Sequence, residues 1–175
     1  MLLFYYVIFL GEYKIMAKTN ALRLLENAGI HIDTMEYEVD ENDLSGVHIA
    51  DVLGIDPDCV FKTLVCRDDK NAYFVFCIPV AYELDLKKCA VHAGVKRIEM
   101  IHVKELLPLT GYIRGGCSPV GMKKKFPTYF DSSAATLDKL TVSAGMKGAQ
   151  LLLDAKAIVA YTEAMLCDIA IDPVK

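Results

Sequence analysis

No two of the six cysteines (Cys59, Cys66, Cys77, Cys89, Cys117 and Cys167) form a Cys-x-x-Cys pair. Most lie in apolar stretches, where a free thiol behaves as a small hydrophobe. With no secretory signal in view, such a set points to a reducing, cytoplasmic setting and away from a disulfide framework. Cys89-x-x-His92 has the spacing of half a zinc site, but no second half accompanies it, so no metal is expected. The four histidines, His31, His48, His92 and His102, stand singly, and no Ser/His or Cys/His relay is supported. Gly-x-Gly-x-x-Gly and the P-loop pattern are both missing. Gly-x-Ser-x-Gly is missing too, since Ser118 precedes a proline instead of opening a nucleophile-elbow helix. There is no basic excess: 19 Lys+Arg against 23 Asp+Glu leave a net charge of −4. That excludes the global field of a non-specific nucleic-acid binder, though not a local basic patch. The apolar run over residues 2–10 is far short of the ~20 residues a membrane span needs. It also lacks the basic flank and small-residue cleavage site of a signal peptide.

What is present is one domain's worth of chain, 175 residues with 54% hydrophobic content. Met16-Ala17-Lys18-Thr19 reads like an ordinary start, so residues 1–15 are expected to be a non-core extension and residues 16–175 the domain. Thr19 can cap a helix over Asn20–Ala28, with Gly29 as its stop. A strand over Ile32–Val39, an acidic loop at Asp40–Asp43 read as a solvated connection, and a helix over Val47–Leu53 follow. Val60–Arg67 and Ala72–Val80, joined by Asp68-Asp69-Lys70-Asn71, form a hairpin. Beyond it come a helix capped by Asp85, a strand over Lys96–Met100, and a short helix over His102–Leu107 that stops before Pro108. Strands over Thr128–Asp131, Leu140–Ser143 and Gln150–Leu153, a helix over Ala155–Thr162 and a last strand near Ala164–Ile171 complete the chain. Helices and strands alternate without a βαβα beat, which indicates one α+β domain with a mixed or antiparallel sheet that can close in part.

Two features stand out chemically. Strand alternation puts Lys62 on one face with Val60, Leu64 and Cys66, and a lysine in an apolar row either borders a cleft or snorkels from an edge. Gly111–Gly121 holds four glycines and a proline in eleven residues, so it is a loop that is either a tight turn or a place of close ligand approach. Arg114, Lys123, Lys124 and Lys125 lie beside it and suit a phosphate-bearing substrate, unless they are only a solvated tract. Backbone N–H groups of such a loop, near Ser118, can hold a carbonyl or oxyanion.

Five stretches then carry a resemblance: Phe61-Lys62-Thr63-Leu64-Val65, Glu83–Lys88, Thr110–Pro119, Lys124–Thr128 and Val142–Gly145. In order and spacing they resemble the YbaK-type aminoacyl-tRNA deacylases, relatives of the editing domain of bacterial prolyl-tRNA synthetases. The nearest likeness is to the Cys-tRNA(Pro) deacylase branch. The resemblance runs from about Met16 to Ile171 and implies a mixed, barrel-like sheet surrounded by helices. It implies hydrolysis of the ester joining a wrong amino acid to tRNA(Pro), without a cofactor or metal, in the cytoplasm. Lys62 matches the lysine on which activity depends in the family, expected to orient the ester without acting as a nucleophile. Gly115, Gly116, Ser118 and Pro119 match the loop around the aminoacyl group, with Tyr37 and Ser143 in the same pocket. Arg114 and Lys123–Lys125 are expected to face tRNA, and prolyl-tRNA synthetase is the expected partner. In this branch the substrate's own thiol attacks the ester. Gln150 stands where the family pattern has an acidic residue, and Ala144 where glycine is frequent.

Overall fold

The computed structural model describes residues 18–173. The proposed extension over residues 1–15 lies outside the described residues. Among these, α1 (Asn20–Asn27), β1 (Ile32–Glu36), α2 (Gly46–Leu53), β2 (Phe61–Asp68), β3 (Tyr73–Pro79) and β4 (Glu83–Leu84) come first. Then follow α3 (Leu86–Ala93), β5 (Ile98–Met100), α4 (Val103–Thr110), β6 (Thr128–Asp131), β7 (Lys139–Ser143) and β8 (Ala149–Asp154). The series ends with α5 (Ala155–Tyr161), β9 (Met165–Cys167) and β10 (Ala170–Ile171).

Side-chain caps fix where the helices begin. Thr19 Oγ1 accepts from Leu22 N at 3.2 Å, Ser45 Oγ from His48 N at 3.3 Å, and Asp154 Oδ1 from Ala157 N at 2.8 Å. Asp85 Oδ1 accepts from both Lys87 N and Lys88 N, at 3.0 and 3.1 Å. Each cap satisfies a first-turn N–H that has no partner inside the helix. Helix α4 corrects an expectation, because it runs through Pro108 to Thr110. The proline deletes one donor, but the turn is held by its neighbours. Thr110 Oγ1 donates to Leu106 O at 2.7 Å, and Lys123 N donates to Thr110 O at 3.0 Å. The last expected strand is also two short ones. The chain breaks between them where Ile169 N and Ala170 N donate to the Asp131 carboxylate, at 3.1 and 3.0 Å.

The strands form a five-stranded sheet, β5-β2-β3-β6-β9, a three-stranded sheet, β1-β8-β7, and the pair β10-β4. In the large sheet β2 runs antiparallel to β3 and β5, whereas β3–β6 and β6–β9 are parallel. The hairpin is closed by Asp68, whose Oδ1 accepts from Lys70 N and Ala72 N, both at 2.8 Å. One face of the large sheet, with Phe61, Val65, Val75, Cys77 and Phe130, packs against α1, α5 and the small sheet. The other, with Cys66, Phe74, Phe76 and Ile78, is covered by Cys89 and Ala90 of α3 and by Ile169. Each sheet ends in edge strands, so none closes on itself, and the barrel-like expectation reduces to one α+β domain with mixed sheets. The physical reason lies along β2. There β5 covers only Cys66–Asp68, while the small sheet touches the strand's start through one parallel bridge, Val60–Thr141.

All six cysteines are free. Burial pushes the Cys66 and Cys117 thiols up to about 12 and Cys167 to about 11, and raises Cys77 and Cys89 further. Cys89 is buried while His92 is exposed, so the two do not form half a metal site. Among the described residues no helix is long and apolar enough to cross a membrane.

Candidate active site

Lys62 lies on β2 between the end of the β5 ladder and the bridge to the small sheet. The strand therefore presents an open edge there, whereas the side chain's partner lies on the opposite side, just past the end of β3. Its Nζ donates to Val80 O at 3.4 Å, the only hydrogen bond it makes among the described residues. Burial holds the ammonium below the ordinary lysine value of 10.5, and Glu83 nearby opposes part of that shift. The face predicted for Lys62 divides: Leu64 and Cys66 join the core beneath α3, whereas Val60 packs with Ala50 and Val80.

The glycine-rich loop, 111–121, meets the turn 145–148 that links β7 to β8. A Cβ built on Gly116 would lie 2.9 Å from Met146 C and 3.0 Å from Lys147 N, so only glycine allows this backbone-to-backbone approach. Gly145, at φ +92°, packs under the Tyr112 ring in the same way. Ser143 Oγ accepts from Gly145 N at 3.2 Å, and Tyr37 N donates to Gly148 O at 2.9 Å. Tyr37, Gly115, Gly116 and Ser143 are thus gathered around one turn. Ser118 is fully buried and its Oγ accepts from Val120 N at 3.2 Å, which builds it into the loop's own frame.

Lys62 makes no hydrogen bond to this loop, and the link between them is the segment 40–46. Lys147 Nζ pairs with Glu41 at 2.8 Å, and Lys147 and Leu44 flank Gly115. At the segment's other end Gly46 lies against the Val80 side chain, and Val80 O is the acceptor of Lys62. The bridge adds a second link. Val60 and Thr141 pair in parallel, so Lys62 and Ser143 each lie two residues beyond the single bridge that joins the start of β2 to β7.

Pro119, Lys124 and Lys125 line an open groove of about 260 Å³ with Met122, Phe126 and Tyr161. Arg114, Lys123, Lys124 and Lys125 are all exposed. Lys123 Nζ donates to Pro108 O at 3.4 Å and Lys125 pairs with Glu163 at 2.6 Å, while Lys124 makes no ion pair among the described residues.

Sequence reasoning passed over Glu41, Gly46, Val80 and Lys147. The acidic loop gave a signal, and it is exposed as read, but one of its carboxylates also ties the segment to the turn. A contact between Gly46 and Val80 has no local signature.

The comparisons with known proteins bear on the family and the fold. The family model for the aminoacyl-tRNA editing domain matches residues 45–161, from the segment beside Gly46 to the end of α5. The chain belongs to the aminoacyl-tRNA editing-domain family. Its likeness to EbsC of Enterococcus faecalis, provisionally named a Cys-tRNA(Pro)/Cys-tRNA(Cys) deacylase, is 42% identity over 160 residues. That match covers 91% of this chain and 98% of EbsC. Among solved structures, hypothetical protein APE2540 matches with a TM-score of 0.77 at 21% identity, covering 85% of this chain and 97% of that one. A provisionally assigned trans-editing enzyme for prolyl-tRNA synthetase matches with a TM-score of 0.74 at 24% identity, covering 84% and 92%. These two likenesses concern the fold. The editing domain is thus a hydrolase of the aminoacyl-tRNA deacylase class.

Gly116 offers a direct test of the site in this editing domain. Gly116→Ala forces the loop away from the 145–148 turn, because the clash is with backbone and not with a movable side-chain tip. Deacylation is expected to fall by about 10-fold or more, a misplacement effect of the usual size. Steady-state release of the amino acid from charged tRNA measures it, and an unchanged rate would remove the loop from the site.

Proposed function

We propose that this editing domain acts in trans on mischarged tRNA(Pro), releasing cysteine from Cys-tRNA(Pro). The observation that carries the reading is the gathering of Gly115–Gly116, Ser143 and Tyr37 around the 145–148 turn, with Lys62 on the strand whose start the Val60–Thr141 bridge joins to β7. The likeness to EbsC along nearly the whole chain supports the choice of substrate. In the proposed reaction the cysteinyl thiol adds to its own ester carbonyl. The tRNA 3′-oxygen leaves and takes up a proton, and water opens the cyclic thioester that remains. Lys62 is a positioning cation: its charge steadies the ester oxygen or the neighbouring phosphate. Because the Gly116 N–H already donates to Ile113 O at 3.0 Å, it is the Gly115 N–H beside it that faces the carbonyl as charge develops on it. Neither Ser118, fully buried, nor any cysteine, each with a raised pKa, needs to supply a nucleophile.

Lys124 and Lys125 line the groove at Pro119, and with the exposed Arg114 and Lys123 they supply the local basic residues for the acceptor stem's phosphates. With a net charge of −4 the domain attracts tRNA weakly as a whole. Selectivity for tRNA(Pro) accordingly comes from association with prolyl-tRNA synthetase in the cytoplasm. A deacylation panel of Cys-, Ala- and Pro-charged tRNA(Pro) tests the proposal. Cysteine release is expected to dominate. Faster alanine release would reassign the substrate, and no release from any of the three would overturn the reading.

A further inference from the structure

Two polar atoms at the sheet junction are buried without a partner, Gln150 Oε1 and Thr141 Oγ1, in residues 4% and 0% exposed. The ladder defines where they stand. Ser143 pairs with Gln150 and Thr141 with Leu152. Thr141, Ser143 and Gln150 therefore share one face of the small sheet, while Leu140, Val142, Leu151 and Leu153 fill the main core from the other. Thr141 bridges Val60, so this polar face is continuous with the strand that carries Lys62.

A buried acceptor that makes no hydrogen bond is costly, and leucine would fill the same slot without that cost. Native proteins seldom keep such atoms, and each calls for a physical cause. A side-chain amide oxygen only accepts, so the missing partner is a donor. Lys62 and the Ser143 hydroxyl each keep a proton to donate, yet neither bonds these two atoms: Lys62 donates to Val80 O, and Ser143 Oγ accepts from Gly145 N. Within an aminoacyl ester the ester oxygens are acceptors and a thiol is a weak donor. The α-ammonium group is the strong donor.

We infer that Gln150, with Thr141 beside it, binds the α-ammonium group of the esterified amino acid and so sets which way the ester faces. The inference rests on the deacylase reading and deepens it. The site is divided, with donors on the Lys62 and loop side and acceptors on the β7–β8 side. A neutral amide accepts from the ammonium without adding a buried charge at the junction.

The test uses two stable amide-linked probes, 3′-(cysteinylamino)-3′-deoxyadenosine and its analogue lacking the amine, 3′-(3-mercaptopropanoylamino)-3′-deoxyadenosine. Calorimetry on the full chain is expected to show the wild type binding the first about 10-fold tighter or more, a charged hydrogen bond's worth. Gln150→Leu is expected to bind both alike, and Gln150→Glu, which keeps the acceptor, to retain the preference. Gln150→Leu should melt no lower than the wild type, whereas a merely structural glutamine would cost stability on removal. Gln150→Met, of similar volume, carries the comparison if the leucine variant does not fold. Equal binding of both probes by the wild type, no binding of the cysteinyl probe, or a preference surviving in Gln150→Leu would each overturn the inference. Turnover of Cys-tRNA(Pro) without an amine preference would leave the deacylase reading standing and remove this one. An amine preference without turnover would do the reverse.

Discussion

Lys62→Ala is expected to lower kcat/KM for Cys-tRNA(Pro) deacylation by about 10²–10³-fold, the usual cost of losing one group that stabilises developing charge. The protein should remain folded. Lys62 makes one long hydrogen bond to a carbonyl, and burial already disfavours its charged form. Removing it therefore takes little from the native state, and Lys62→Met should keep or raise the melting temperature. Activity should also depend on pH. Catalysis needs the ammonium, and its pKa lies below the ordinary 10.5. Activity should fall as pH rises through that lowered value, earlier than for an exposed lysine. A pH–rate profile of the wild type beside single-turnover rates of the alanine variant measures both. Undiminished hydrolysis in a folded Lys62→Ala protein would remove the lysine from the mechanism.

The largest stability effect is expected at Asp131. This carboxylate is 5% exposed and accepts from Ser133 N at 3.0 Å as well as from Ile169 N and Ala170 N. It thereby ties the C-terminal strands to the end of β6. Asp131→Ala leaves those buried donors unmatched and should cost about 3 kcal/mol, twice a typical neutral hydrogen bond or more. Burial alone would raise the Asp131 pKa, but the hydrogen bonds from Ser133, Ile169 and Ala170 outweigh it and hold it below the ordinary 3.8. A depressed carboxyl pKa contributes stability that is present above the unfolded value and lost as pH falls through the folded one. The stability gap between the wild type and Asp131→Asn should accordingly be widest near neutral pH and narrow below about pH 4. Urea melts across that range measure it, and a gap independent of pH would refute the role of the charge.

Local structure is legible in the sequence where one residue decides it. Thr19, Asp85 and Asp154 cap helices where their side chains predict, and the polar stretch from Asp68 closes the hairpin. Lys62 is conspicuous because strand alternation exposes the mismatch between its charge and its neighbours. What depends on distant pairing is not legible. Pro108 stays helical because Lys123, fifteen residues away, donates to the carbonyl of Thr110 at the helix end. Open sheets and a barrel have the same alternation along each strand, and only the single Val60–Thr141 bridge distinguishes them. Gln150 shows the same gap. Its identity marks a departure from the family pattern, but its missing partner exists only once β8 is laid beside β7.

The burial of the thiols has a consequence for thiol–disulfide exchange. A thiolate attacks and a thiol does not, and Cys66, Cys117 and Cys167, raised to about 12, 12 and 11, hold essentially no thiolate near neutral pH. Cys59, only partly buried, is raised as well, by burial and by Asp56 and Asp58. A substrate carrying a reactive sulfhydryl thus meets six protein thiols that do not compete with it for an electrophile or capture it as a mixed disulfide. In such a protein the most nucleophilic sulfur in the complex is the substrate's own.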